Sequence, residues 1–332
     1  MKKAFITGIN GQDGSYLAEY LLNLGYEVHG MVRRNSVSES QQSRFTDDLR
    51  EKLTISYGDL LDQSSMERLL DKIQPDEIYN LAAQSHVRIS FDIPQFTAQT
   101  NAIGVLNIME AYRRSCPTAK FYQASSSEMF GNSVDGDGFQ RETTPMHPVS
   151  PYGCSKLFGY SLVRNYRHCY KLHAVNGILF NHESPRRGSN FVTSKVVKTA
   201  VNIKLGIEKT LELGNIESYR DWGHSKDYVR AMHMMLNHTS ADDFVVSTMQ
   251  THSVLDMVKY VFNRLDLDYT KYVVQNSKFL RPEELKYLKG DSTKIRQTLG
   301  WLPDYTFETL MDDMVDCNLN IATNKLKGKL NA

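Results

Sequence analysis

The sequence predicts a doubly wound α/β fold, an open parallel sheet covered by helices on both faces, with a smaller C-terminal lobe. Two observations carry this expectation. Short β-competent apolar runs alternate with stretches of helical apolar spacing along most of the chain, the pattern of consecutive βαβ units. The first such pair is joined by a glycine-rich turn, GINGQDG at residues 8–14, where the period changes from strand to helix. With 332 residues the chain can bury a large core and hold two lobes.

Each element follows in order. KAFIT at Lys3–Thr7 is a strand, and the stretch from Gly8 to Leu22 has helical apolar spacing. On the turn between them Gly8 permits the sharp reversal, Gly11 lets a pyrophosphate approach the backbone, and Gly14 lets the helix pack on the sheet. The competing reading is a loop with incidental glycines, which the flanking strand and helix disfavour. A second strand at 27–32 ends at Arg33, where enzymes that bind NAD usually carry an acid for the ribose diol. Arginine there favours a 2′-phosphate and hence NADP, against a merely solvated basic loop. Further strands are read at 53–57, 77–81, 119–124, 174–180 and 243–247, with a helix around 65–73. In such sheets ligands lie beyond the strand C-terminal ends, where Gly8, Asp59, Leu81 to Ser85, Ser126 and Asn181 fall. Residues 1–180 are expected to form the dinucleotide-binding domain, with 219–246 returning to it. Residues 181–218 and 247–332 then make most of a substrate-binding lobe.

Two bases stand where a simple dehydrogenase needs one. Tyr152 and Lys156, in YGCSK, lie four residues apart on one helical face, so the ammonium can lower the phenol pKa and hold a nicotinamide ribose. An amphipathic surface helix would look the same. Ser126, at a strand end, can bond the reacting hydroxyl or ketone, or simply cap a turn. Glu128 in ASSSE is the second base. A carboxylate there suits removal of a carbon-bound proton beside a newly made ketone, although an acid in a first helical turn is the plainer alternative. Oxidation followed by elimination is a dehydratase.

Composition narrows the class. A formal charge of +1, from 39 basic and 38 acidic residues, offers no field for nucleic acid or an anionic membrane. No apolar run reaches the length of a membrane span, and Met-Lys-Lys leads into a strand and not a signal segment, so a cytoplasmic protein is expected. Cys116, Cys154, Cys169 and Cys317 lack paired spacing and read as free thiols. His182, His224, His233 and His238 show no ligand pattern, and no metal is expected.

Five stretches carry a resemblance: TGINGQDGSYL at 7–17, QPDEIYNL at 74–81, YQASSSE at 122–128, GILFNHESPRRG at 177–188 and RDWGHSKDYV at 220–229. Through them the chain resembles the GDP-mannose 4,6-dehydratase family of extended short-chain dehydrogenases/reductases, over nearly its whole length. The resemblance implies a Rossmann domain holding NADP through Gly8, Asn10, Gly11, Gln12, Asp13, Gly14, Arg33, Asp59, Leu60, Leu81, Ala82, Ala83, Ser85, Tyr152, Lys156, His182 and Arg187. It places the catalytic set on Ser126, Glu128, Tyr152 and Lys156, with Ser126 where the family usually has Thr. The hydroxyl is kept and a methyl lost, which alters packing but not chemistry. Ser85, Ser126, Glu128, Asn181, Lys195, Arg220 and Arg281 are the expected substrate contacts. The two guanidiniums offer bidentate geometry for a diphosphate and Lys195 a point charge, although each could be a plain surface charge. The region 273–281 is shorter than in many relatives, which weakens transfer of base contacts from it.

The implied reaction converts GDP-mannose to GDP-4-keto-6-deoxymannose, a precursor of deoxyhexoses, by an internal hydride cycle. A nucleotide-sugar epimerase or ketoreductase would share the turn and the Tyr-Lys pair without needing Glu128. A dehydratase for another nucleotide sugar would differ only in the nucleotide pocket. A non-catalytic NADP-binding regulator needs none of the three side chains. Finally, the polar stretch 34–44 has little apolar content to fold onto its own domain. In the resembling family it reaches a neighbouring subunit, which implies a homotetramer, against a mobile loop on a dimer.

Overall fold

The computed structural model describes residues 1–34, 44–280 and 282–330. Seven strands form one parallel sheet: β1 (Lys3–Thr7), β2 (Glu27–Val32), β3 (Thr54–Tyr57), β4 (Glu77–Asn80), β5 (Lys120–Ser126), β6 (Ala174–Leu179) and a late strand, Asp243–Val246. Their spatial order is β3, β2, β1, β4, β5, β6 and then Asp243–Val246. The chain therefore winds outward one way from β1 and the other way from β4, leaving a crevice where the order reverses.

Alternation of side chains across the pleat explains why these runs are continuously apolar. Ala4 and Ile6 enter the core on one face of the sheet, whereas Phe5 enters the core on the other. Tyr79, Tyr122 and Val175 take the first face, and Ile78, Phe121 and Ala174 the second. Both faces are buried, so both positions of each dipeptide must be apolar. The first face is covered by the helices Gln12–Asn23 and Ser225–Asn237, the second by Gln63–Ile73, Gly104–Ser115 and Pro151–Tyr170.

A separate cluster forms the second lobe. Helices Val192–Lys204, Val254–Arg264 and Phe307–Leu330 bury Val197, Met257, Val261, Leu310 and Met314 against one another. A short strand β7 (Asn181–Glu183) leaves the sheet just after β6 and pairs in parallel with Trp222–His224, leading the chain between the lobes.

Candidate active site

The central turn is tightly packed. Gly8 has φ +70°, and a Cβ there would lie 2.8 Å from the Ala82 amide nitrogen, so only glycine fits. A Cβ on Gly14 would lie 2.4 Å from Gly8 O, which is why the helix can begin directly against the turn. Thr7 Oγ1 donates to Asn80 Oδ1 at 2.7 Å and accepts from the amides of Leu81 and Ala82 at 3.1 Å each, fixing the loop after β4 beside the glycines. Gly11 caps the helix Gln12–Asn23 without any side-chain hydrogen bond. Its first-turn amides are thus suited to anionic oxygens, and the turn fits a dinucleotide.

Past the strand ends lies a cleft of about 670 Å³. One wall gathers Asp13, Leu81, Ala83 and Ser85 with Ser126, Glu128, Tyr152 and Lys156; the other brings Asn181, His182, Arg187, Lys195 and Arg220. Of the remaining sequence-predicted contacts, Gly8, Asn10, Gly11, Gln12, Gly14 and Ala82 form the turn and its flank. Asp59 and Leu60 follow β3, where Asp59 Oδ1 accepts from Leu61 N at 3.0 Å and Leu60 is buried. Arg33 is exposed, its guanidinium 5.6 Å from the Phe96 ring centroid. Arg281 and residues 35–43 lie outside the described residues. Arg44, at the end of that stretch, donates to Asn10 O at 2.7 Å and Arg186 O at 2.6 Å of its own chain.

The catalytic wall is deeply set. Ser126, Glu128 and Tyr152 are each 9% exposed and Lys156 6%. Ser126 ends β5, and its Oγ accepts from Glu128 N at 3.2 Å, so the serine does cap the turn that presents the carboxylate. Ser150 caps the helix Pro151–Tyr170 through Gly153 N, which sets Tyr152 and Lys156 in its first turns. Gly153 is needed there because a Cβ would approach Glu128 O to 2.7 Å.

The electrostatics correct one expectation. Burial pushes the Tyr152 phenol up to about 12, opposed by the Ser126 hydroxyl and Arg187 and assisted by Glu128. Burial therefore outweighs the nearby ammonium, and the phenol sits above its ordinary value, not below it. Lys156 is pulled down to about 8 by burial, and its Nζ donates to Ala124 O at 2.9 Å, 5.8 Å from the Tyr152 ring centroid.

A charge pair ties the facing wall to the first. His182 Nε2 lies 2.8 Å from Asp13 Oδ2, and its Nδ1 2.8 Å from Phe180 O. Burial opposes both charges, yet the imidazolium holds the Asp13 carboxyl below its usual range and the carboxylate raises His182. His182 stacks on Tyr228 at 4.5 Å. Burial pushes the Glu183 carboxyl up despite Arg187, whose Nε is 2.9 Å away. Lys195 Nζ stands 3.5 Å from the Phe279 ring centroid, and Arg220 Nη1 donates to Tyr219 O at 2.8 Å.

Several lining residues escaped the sequence reading: His86, Phe191, Phe279 and Glu284. None sits in a recognisable catalytic spacing, and the glycine-turn threonine, Thr7, acts through loops more than seventy residues away. Among the described residues no group of three or more His, Cys, Asp or Glu could hold a metal ion, and no helix is long and apolar enough to cross a membrane.

A central glycine turn on a parallel sheet, with a cleft past its C-terminal edge, defines a Rossmann-type dinucleotide-binding fold. The solved dTDP-glucose 4,6-dehydratase from Bacillus anthracis, in complex with NAD, shares this fold at TM-score 0.82 and 21% identity, with 96% of each chain covered. The family model for GDP-mannose 4,6 dehydratase matches residues 5–314. GDP-mannose 4,6 dehydratase 1 of Arabidopsis thaliana is 47% identical over 330 residues, covering 97% of this chain and 91% of the relative. The Homo sapiens GDP-mannose 4,6 dehydratase is 43% identical over 347 residues, covering 96% and 91%. The chain belongs to the GDP-mannose 4,6-dehydratase family.

Proposed function

We propose that this protein is a hydro-lyase that converts GDP-D-mannose to GDP-4-keto-6-deoxy-D-mannose and water, with NADP as a cofactor restored in each turnover. The observation that carries the reading is the convergence of two bases, Tyr152 and Glu128, on one cleft beside a dinucleotide-type turn. When bound, NADP supplies a two-electron reservoir that accepts a hydride from sugar carbon 4 and returns it to carbon 6. The first-turn amides after Gly11 and the Arg33 guanidinium are the groups suited to its phosphates.

The chain's own residues handle the protons. Tyr152 takes the proton of the carbon 4 hydroxyl, with Ser126 and Arg187 drawing its pKa down against burial. Once carbon 4 is a ketone, the carbon 5 proton is acidic, and Glu128 removes it. The same carboxyl gives that proton to the carbon 6 hydroxyl as it leaves as water; after hydride returns to carbon 6, carbon 5 takes a proton from solvent and Tyr152 releases to solvent the one it took, so the cycle closes. Lys195 and Arg220 offer cationic groups for the diphosphate, with Arg281 assigned the same role from sequence. A cytoplasmic homotetramer is the assembly this reading carries, which light scattering on the intact protein tests. The activity itself is tested by incubating the protein with NADP and, separately, GDP-mannose, dTDP-glucose and UDP-glucose. Mass spectrometry should show loss of one water from GDP-mannose alone; dehydration of another nucleotide sugar in its place would refute the substrate.

A further inference from the structure

His86 stands between the two walls of the cleft and has no part in the chemistry above. It is half-buried in the turn between β4 and the helix Val87–Asp92. Its backbone is held on the dinucleotide side: His86 N donates to Gln84 Oε1 at 2.6 Å, and Gln84 Nε2 donates back to His86 O at 3.2 Å. Its Nδ1 accepts from Ile89 N at 3.2 Å and so caps the helix. A backbone N–H can only donate, so Nδ1 carries the lone pair and the hydrogen of the neutral ring is on Nε2. That nitrogen lies 3.2 Å from Asn190 O and donates to it across the cleft.

What it reaches is the start of the opposite lobe. Asn190 precedes Phe191, the N-cap of the helix Val192–Lys204 that carries Lys195. The imidazole also packs on Phe191, ring centroids 5.3 Å apart at 48°. Phe191 in turn receives the Arg187 guanidinium at 3.6 Å, and Arg187 pairs with Glu183 at the end of β7. One ring thus caps a helix in one lobe and bonds the residue before the N-cap of a helix in the other, with a single tautomer serving both.

We propose that His86 is a positioning residue: its Nε2–H fastens the start of Val192–Lys204 to the dinucleotide side of the cleft, fixing the separation between which a nucleotide sugar is held. This rests on the function proposed above. The cap and the clasp can be separated, because asparagine can cap Ile89 N but its shorter side chain does not span to Asn190 O. The experiment measures kcat, KM for GDP-mannose and Tm for the intact NADP-loaded protein and its His86→Asn and His86→Ala variants.

His86→Asn should keep a wild-type Tm and kcat while KM rises about three- to tenfold, the effect of one hydrogen bond and a ring contact. His86→Ala should show the same KM and a lowered Tm. An unmoved KM in His86→Asn, or a fall in kcat at constant KM, overturns the assignment. If His86→Asn melts as low as His86→Ala, Phe191→Leu takes its place, since it loosens the clasp from the far side with the cap intact. A raised KM there supports the clasp, and a wild-type KM overturns it. Failure of the wild type to dehydrate GDP-mannose overturns the proposed function and this one with it, whereas wild-type turnover with unmoved variants overturns His86 alone.

Discussion

The two walls of the cleft are built on different principles. The wall of Ser126, Glu128, Tyr152 and Lys156 rests on a central strand end and the first turns of a long helix, and none of the four is more than 9% exposed. The facing wall is mixed: Arg220 is 7% exposed, whereas Lys195, on the helix Val192–Lys204, leans on Phe279, a ring 39% exposed. Burial moves the Tyr152 and Lys156 pKa values strongly, to about 12 and about 8, while Lys195 is only lowered from its usual range by its partial burial. A group that must exchange protons is set where solvation is poor and neighbours decide its charge. A group that holds an anion can do so partly wet, as Lys195 would, or buried, as Arg220 would. Substitutions in the first wall should therefore act on turnover, and those in the second on substrate affinity.

The sharpest break is Glu128→Gln. It keeps the shape of the side chain and removes the base, so turnover should fall by about 10²–10⁴-fold while NADP binding is retained. Exchange of the carbon 5 proton with solvent should vanish as well. Wild-type water loss in this variant would remove Glu128 from the mechanism and with it the distinction between the walls.

Arg33 stands outside both walls, and its effect should be confined to the cofactor. Arg33→Ala is expected to weaken NADP(H) by roughly 1–3 kcal/mol through loss of a charge-assisted phosphate contact, with little change for NAD(H). Isothermal titration with both cofactors checks this, and equal losses would contradict a 2′-phosphate at this residue.

Ser126→Ala probes the electrostatics of the first wall. The serine hydroxyl lowers the Tyr152 pKa, so its removal leaves the phenol higher still. The active base is the phenolate, whose fraction grows with pH. The variant's pH–rate profile should accordingly move to higher pH, with a defect of about tenfold near neutrality that narrows as pH rises. A profile scaled down without displacement would show that the hydroxyl acts elsewhere. The smallest effect belongs to the second wall: Lys195→Ala should raise KM for GDP-mannose about three- to tenfold with kcat nearly constant.

The sequence made the sheet legible because both faces of each central strand are buried, leaving continuous apolar runs such as AFI in β1 and the Val-Val of Asp243–Val246. Glu128 and Tyr152 were legible as residue types at a strand end and on a helix. The pieces that escaped depend on contacts between distant segments. Asp13 meets His182 across 169 positions, and Asn101 bonds both the amide and carbonyl of Gln84 from a π-turn at 99–103 that no proline or glycine inside it announces. The direction of the Tyr152 shift was also hidden. Helical spacing brings an ammonium near the phenol, but only the packing tells that burial outweighs it and that Lys156 donates to Ala124 O.

In the proposed cycle one cleft oxidises, dehydrates and reduces the same sugar without an external reductant. The most direct measurement follows the isotope: GDP-mannose carrying deuterium on sugar carbon 4 is incubated with the NADP-loaded protein, and the product is read by mass spectrometry and proton NMR. Loss of one water, full retention of the label and its appearance in the carbon 6 methyl group are expected. Release of the label to solvent or to free NADPH, or recovery of a product still bearing it on carbon 4, would rule out an internal hydride cycle.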